Sequence, residues 1–228
     1  NICLAICLLI SNIPNYFLDK MDLIKEFINL FMKVEPNSVF DLCINILIQY
    51  EGKVIPIISE IYRDLIKCKI TEEYHNFIIE ISKFKEEITD SFVELLTEQI
   101  LKQFEIGISI HTLKILSIIP QYLIHKHLEI IDKLKKSINL NDDKIRKLVY
   151  FSLANIIGFD DVEEERSSII DLLFQIALYD KSLSIRVAVL TIFRDHPSNF
   201  LPNNKFYKLI KNLSNDESFK IKKLCYQI

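Results

Sequence analysis

Two arginines set the first chemical question. Ile145-Arg146 and Ile185-Arg186 each place arginine after a β-branched residue, 40 positions apart, and Ile221-Lys222 falls 36 further on. Aspartates keep step with them, since Asp142, Asp180 and Asp216 recur at intervals of 38 and 36 residues. A guanidinium is a rigid fork of donors that suits a carboxylate in partly buried surroundings. If equivalent units stack, the Asp of one can meet the Arg of the next. Asp142, Arg146, Asp180, Arg186 and Asp216 are therefore expected to form a structural ladder of charge-assisted hydrogen bonds.

Lysines crowd the same region at helix ends or on polar faces, among them Lys133, Lys135, Lys205, Lys208 and Lys211. A compact ammonium can contact phosphate, and Lys144, Lys147, Lys220, Lys222 and Lys223 beside the repeat turns are the expected DNA contacts. A solvated basic face is the plain alternative. Stacking on single strands is not indicated, because Tyr150, Phe151 and Phe174 fall on apolar stripes.

Catalytic patterns are missing. Gly52, Gly107 and Gly158 are about 50 residues apart and sit at helix ends, so no glycine-rich phosphate loop can be assembled, and no G-x-S-x-G occurs. His125 and His127 are two apart, which on a helix points them in different directions, whereas helical metal ligands need a spacing of four. The acidic run Phe159-Asp160-Asp161-Val162-Glu163-Glu164-Glu165-Arg166 lacks the glycine and alternating ligands of a calcium loop. Its glutamates suit the positive end of a helix dipole. The expectation is a non-enzymatic chain with no metal, cofactor or small-molecule substrate.

The elements that must position these residues are helices. Of 228 residues, half are hydrophobic, yet there are only 3 Gly and 6 Pro, too few turn formers for a sandwich or barrel. Apolar residues recur at helical spacing almost throughout. Leu23, Ile24, Phe27, Leu30 and Phe31 share one face over 21–34; Val39, Leu42, Cys43, Ile46 and Leu47 share the next. Pro56 fits the first turn of a helix over 53–68, and Thr71 fits the cap of the one after. A long helix is expected over 88–104 with Phe92, Leu95, Leu96, Ile100 and Leu101 inward, and another over 109–120 with Ile110-His111 in the place of the later Ile-Arg pairs.

Two helices per unit at a period near 40 residues is the signature of HEAT or armadillo arrays. The expected fold is all-α: a single HEAT-type solenoid over 1–228 of about six stacked hairpins, divergent over 1–120 and clearer over 121–228. The N-terminal apolar run ends near Ile13, short of the roughly 20 residues a membrane span requires. It reads as the buried inner helix of a repeat whose partner lies upstream, which makes the chain a fragment of a longer one. Cys3, Cys7, Cys43, Cys68 and Cys225 are scattered without a C-x-x-C pair and read as reduced core thiols.

Net charge is −3 but unevenly spread. Residues 1–120 hold 11 Lys and Arg against 17 Asp and Glu; residues 121–228 hold 17 against 14, and five of those 14 acids sit in the run at 160–165. Away from it, the C-terminal half is basic.

One segment is more specific than a generic helical repeat. Leu178 to Asn199 (LYDKSLSIRVAVLTIFRDHPSN) carries Leu178, Asp180 and Lys181 at the end of an outer helix, a short spacer, then Ile185-Arg186 opening a long apolar helix. It resembles the central HEAT repeats of the condensin G subunit, the non-SMC subunit that binds the kleisin. Leu140 to Glu165 is similar to the preceding repeat with its acidic loop, and the last twenty residues to the following one, so the resemblance covers 122–228. It implies a scaffold in chromosome condensation, nuclear or chromosomal though possible in the cytoplasm, that binds a kleisin-like segment alongside SMC chains and holds duplex DNA through its phosphates. The alternative is a protein-only HEAT scaffold, of the phosphatase or transport type, with a partner peptide on its concave face.

Overall fold

The computed structural model describes residues 20–66, 72–159, 162–201 and 204–228, together with Ala5. Among them the chain is all-helical, with no strand and twelve α-helices. These are α1 (Met21–Val34), α2 (Val39–Tyr50), α3 (Ile55–Leu65), α4 (Glu72–Ile81), α5 (Asp90–Ile106), α6 (Ile110–Leu116), α7 (His127–Lys136), α8 (Asp143–Ile156), α9 (Glu163–Tyr179), α10 (Leu183–Asp195), α11 (Asn204–Leu213) and α12 (Phe219–Cys225). The N-terminal apolar run, Cys3, Cys7, Cys68, Thr71, Asp160 and Asp161 lie outside the described residues.

The chain divides into two compact units, one of residues 1–115 and 119–125, the other of 116–118 and 126–228. In the first, α1 packs on α3 and α3 on α5, while α2 packs on α4. This alternation gives two rows, and the aromatic side chains fill the space within them. Tyr62 lies 4.5 Å from Phe92 between ring centres, and Phe40 meets Tyr74 edge-on at 5.0 Å. The hydroxyls of Tyr62 and Tyr74, both buried, hydrogen-bond to each other. That pairing satisfies two polar groups that would otherwise each cost about 1–3 kcal/mol to bury.

Local chemistry sets the helix limits. Pro56 stands in the first turn of α3, where its missing amide proton costs nothing. Thr89 caps α5 by accepting from the Phe92 amide at 3.3 Å, so α5 starts at Asp90 rather than Ile88. It ends at Gly107, whose φ of 147° is closed to side-chain-bearing residues. The α3 helix is shorter than the spacing predicts because Glu51–Val54 forms a 3₁₀ turn. On α1 the buried stripe is rotated: Leu30 is 51% exposed, and Ile28 takes its place in the core.

In the second unit α8 packs on α10 and α10 on α12, while α7, α9 and α11 pair with α8, α10 and α12 as successive hairpins. A cluster of Phe174, Phe193, Phe200 and Phe206 ties the last two hairpins, with Phe193 edge-on to Phe200 at 4.7 Å and to Phe206 at 5.5 Å. Full burial of each such ring is worth about 1.5–3 kcal/mol. The side chains of Cys43 and Cys225 are buried. No helix among the described residues is long and apolar enough to cross a membrane.

Candidate functional site: an arginine ladder and a lysine groove

The second unit is organised by the N-caps of its inner helices. Asp142, Ser182 and Ser218 occupy the cap positions of α8, α10 and α12, and Arg146, Arg186 and Lys222 each lie four residues beyond. One turn into a helix, that position faces the turn inside the following hairpin, between α9 and α10 for Arg146 and between α11 and α12 for Arg186. Arg146 Nη1 donates to Asp180 Oδ2 at 2.7 Å and Nη2 reaches Asp180 Oδ1 at 3.4 Å. Arg186 Nη2 pairs in the same way with Asp216.

Each accepting aspartate is fixed from behind. Asp180 Oδ1 accepts from the Ser182 amide at 2.8 Å and Asp216 Oδ1 from the Ser218 amide at 2.9 Å, so each carboxylate closes a turn two residues before a cap. The side chain of Asp180 is only 6% exposed and that of Arg146 18%. The guanidinium proton is held more tightly than usual, first by Asp143 and then by Asp180, against the cost of burial. Burial raises the Asp216 carboxyl, but the Ser218 amide and Arg186 outweigh it and leave it below its ordinary value.

Asp142 stands apart from these pairs. Its carboxylate caps α8, accepting from the Lys144 amide at 2.7 Å and the Ile145 amide at 3.3 Å. The residue that meets Arg146 within its own helix is Asp143, at 2.7 Å, and Asp143 also accepts from the Ser182 hydroxyl. Sequence reasoning missed both Asp143 and Ser182. The signal was present in the intervals: Asp180 to Asp216, Ser182 to Ser218 and Arg186 to Lys222 are all 36, whereas Asp142 to Asp180 is 38 where Arg146 to Arg186 is 40. The residue six before Arg146, as Asp180 is six before Arg186, is Leu140.

Of the lysines, Lys144, Lys220 and Lys223 are exposed and Lys147 and Lys222 half-buried. Lys147 of α8 and Lys220 of α12 line one cavity of about 480 Å³, with Leu183, Ser184, Val187 and Ala188 of α10 between them. No acidic residue lines it. Lys205, Lys135 and Lys83 are engaged elsewhere, with Asp171, Glu165 and Glu80 respectively.

The other sequence-marked groups have structural settings. Glu163, Glu164 and Glu165 open α9, at its positive end. His127 is buried edge-on to Phe159 at 5.0 Å. The His75 imidazole is held below its ordinary value by burial and then by Lys114. Among the described residues no three potential metal ligands cluster. No protein-family model, characterised protein or solved structure matches the chain.

Proposed function

We propose that this chain is a non-catalytic scaffold, a HEAT-type α-solenoid resembling the condensin G subunit, that grips duplex DNA through its phosphates and holds a kleisin-like segment in a nuclear, chromosome-organising complex with SMC chains. The single observation that carries the DNA reading is the acid-free groove with Lys147 on one wall and Lys220 on the other. Support for the repeat reading is the register of the hairpins, in which the same helix position reaches the same turn in the next unit.

The axes of α8 and α12 are two helix spacings apart, roughly 16–20 Å at about 8–10 Å each. With α10 between the helices that carry them, the two ammonium groups suit two different phosphates of a duplex rather than a single base edge. Lys144 and Lys223 add exposed ammonium groups to the same two helices, while Lys222, also among the expected contacts, stands at the ladder position near enough to Asp216 to help lower its carboxyl.

The test is fluorescence anisotropy on a random-sequence duplex. Affinity should fall with salt by a log–log slope of roughly −0.9 per phosphate contacted. Charge reversal of Lys144, Lys147, Lys220, Lys222 and Lys223 to Glu should abolish binding while leaving the circular dichroism spectrum unchanged. Undiminished binding by that variant overturns the reading. A second reading, a protein-only scaffold, is favoured by the apolar floor of the same groove, where Leu183 is 43% exposed. It predicts weak salt dependence and sensitivity to Leu183→Asp.

A further inference from the structure

The lysine groove carries one nucleophile that the DNA reading leaves unused. Ser184 is exposed on α10 and lines the same cavity of about 480 Å³ as Lys147 and Lys220. Neither ammonium group makes a hydrogen bond or ion pair among the described residues, and neither does the Ser184 hydroxyl. Asp143 lies within electrostatic reach of Lys147, but its carboxylate is already bonded to the Ser182 hydroxyl and to Arg146. A serine between two unpaired ammonium groups stands where an added phosphate would meet two partners at once.

The sister helix shows a third partner for it. Counted from the caps, Ser184 matches Lys144, whose amide donates to the Asp142 carboxylate at 2.7 Å. The cap of α10 supplies no such acceptor, because Ser182 makes no side-chain capping bond and its hydroxyl donates to Asp143 instead. In the second place of its helix, the Ser184 amide is also beyond the reach of the helix's own carbonyls. The start of α10 therefore lacks the anion that the start of α8 has. A phosphate on Ser184 would bring about 1.5 to 2 negative charges to that end of the helix dipole and to both lysines.

We propose that Ser184 is a phosphorylation site whose phosphate closes the groove by engaging Lys147, Lys220 and the first turn of α10. The reaction needs a kinase carrying a nucleoside triphosphate. Ser184 Oγ attacks the terminal phosphorus, the bond to the departing nucleoside diphosphate breaks, and the hydroxyl proton passes to the kinase's base. With its lysines so occupied, the groove repels the phosphates of a duplex. The inference deepens the DNA reading by naming how that site is switched off. It rests on that reading for its consequence, whereas the contacts of the phosphate itself do not depend on DNA.

The test compares the 228-residue chain with the same chain carrying phosphoserine at position 184, installed during synthesis. Phosphorylation should raise the melting temperature by roughly 2–4 °C. In the Lys147→Gln/Lys220→Gln variant most of that rise should vanish. In the anisotropy assay the phosphorylated chain should bind the duplex at least roughly tenfold more weakly than the unmodified one. No rise in melting temperature, or the same rise in the lysine variant, would overturn the proposal, as would equal DNA affinity of the two chains. If the unmodified chain fails to bind DNA, the DNA reading falls and the melting comparison alone decides this one. Native protein isolated with phosphatase inhibitors should yield the tryptic peptide Ser182–Arg186 phosphorylated on Ser184, and recovery of that peptide only in unmodified form would equally overturn the site.

Discussion

Arg146→Ala tests the ladder at its most buried rung. The substitution removes the hydrogen bonds from Nη1 and Nη2 to Asp180 and the one from Nη2 to Asp143. The two carboxylates respond differently. Asp143, with 43% of its side chain exposed, regains water, whereas Asp180, at 6%, cannot. Removing one partner of a buried pair costs about 3–5 kcal/mol. Asp180 keeps its bond from the Ser182 amide, which places the expected loss near the lower end, about 3 kcal/mol.

Asp180→Ala should cost less, about 2 kcal/mol, because Arg146 retains Asp143 and some access to water. The double variant should fall short of the sum by about 2 kcal/mol, the coupling of two groups in one network. Urea denaturation at pH 7, followed by circular dichroism, reads all three, with the slope unchanged if only stability has moved. Asp142→Ala is the contrast: loss of a cap should cost about 1 kcal/mol and add to Arg146→Ala to within about 0.5. An Arg146→Ala cost under 1 kcal/mol, or strict additivity with Asp180→Ala, would refute the ladder. Coupling of Arg146 to Asp142 instead would refute the register drawn from the caps.

Two further outcomes follow from buried or paired groups. Tyr62→Phe should destabilise by about 1–3 kcal/mol because it strands the Tyr74 hydroxyl, and adding Tyr74→Phe should cost much less than the first step; burial also raises both phenols, so absorbance at 295 nm should show these two tyrosines ionising only as the fold opens. The acid limb depends on Asp143, lowered by the Ser182 hydroxyl and Arg146, and on Asp216, lowered on balance against its burial. Both are depressed in the folded chain, so their contribution is complete above the ordinary value of 3.8 and is lost as pH falls from there through the lowered folded values. Stability measured from pH 6 to pH 2 should fall less steeply in Asp143→Asn and Asp216→Asn.

What the sequence revealed was whatever repeats or recurs at helical spacing. The stripes of α2 and α5 placed Val39, Leu42, Phe92 and Leu96 in the core correctly, because amphipathic spacing records which face is dry. The stripe of α1 did not, since Leu23, Ile24, Phe27, Ile28, Leu30 and Phe31 leave more than one face apolar enough to bury. Only the neighbouring helices settle that Ile28 is in and Leu30 out. The Tyr62–Tyr74 pair was illegible for a different reason: tyrosine carries no mark of its partner, and nothing periodic links the two positions. Asp142 misled because an aspartate at a cap and an aspartate two residues before one look alike in a list of spacings. The two sites differ in what the carboxylate accepts, its own helix's amides in one case and a neighbouring arginine in the other.

The same caps that separate those aspartates also explain why a groove exists. Counting from the cap, Lys144, Ser184 and Lys220 share one position, and Lys147, Val187 and Lys223 share the position three further on. The outer two helices of the row carry lysine at both places; the middle one carries a small polar and a β-branched residue. Lysine at those sites on α10 would fill the cavity that now separates Lys147 from Lys220 and would set four to six ammonium groups against one another. Repulsion between like charges at such spacing is unfavourable whether or not a ligand is bound. Short residues in the middle leave two cationic walls with an apolar floor, the shape on which the DNA proposal rests. The ladder makes that arrangement rigid, because each arginine fixes the height of one inner helix against the turn of the next. If the groove holds DNA as proposed, Arg146→Ala should weaken binding in the anisotropy assay even though no arginine of the ladder lines the groove.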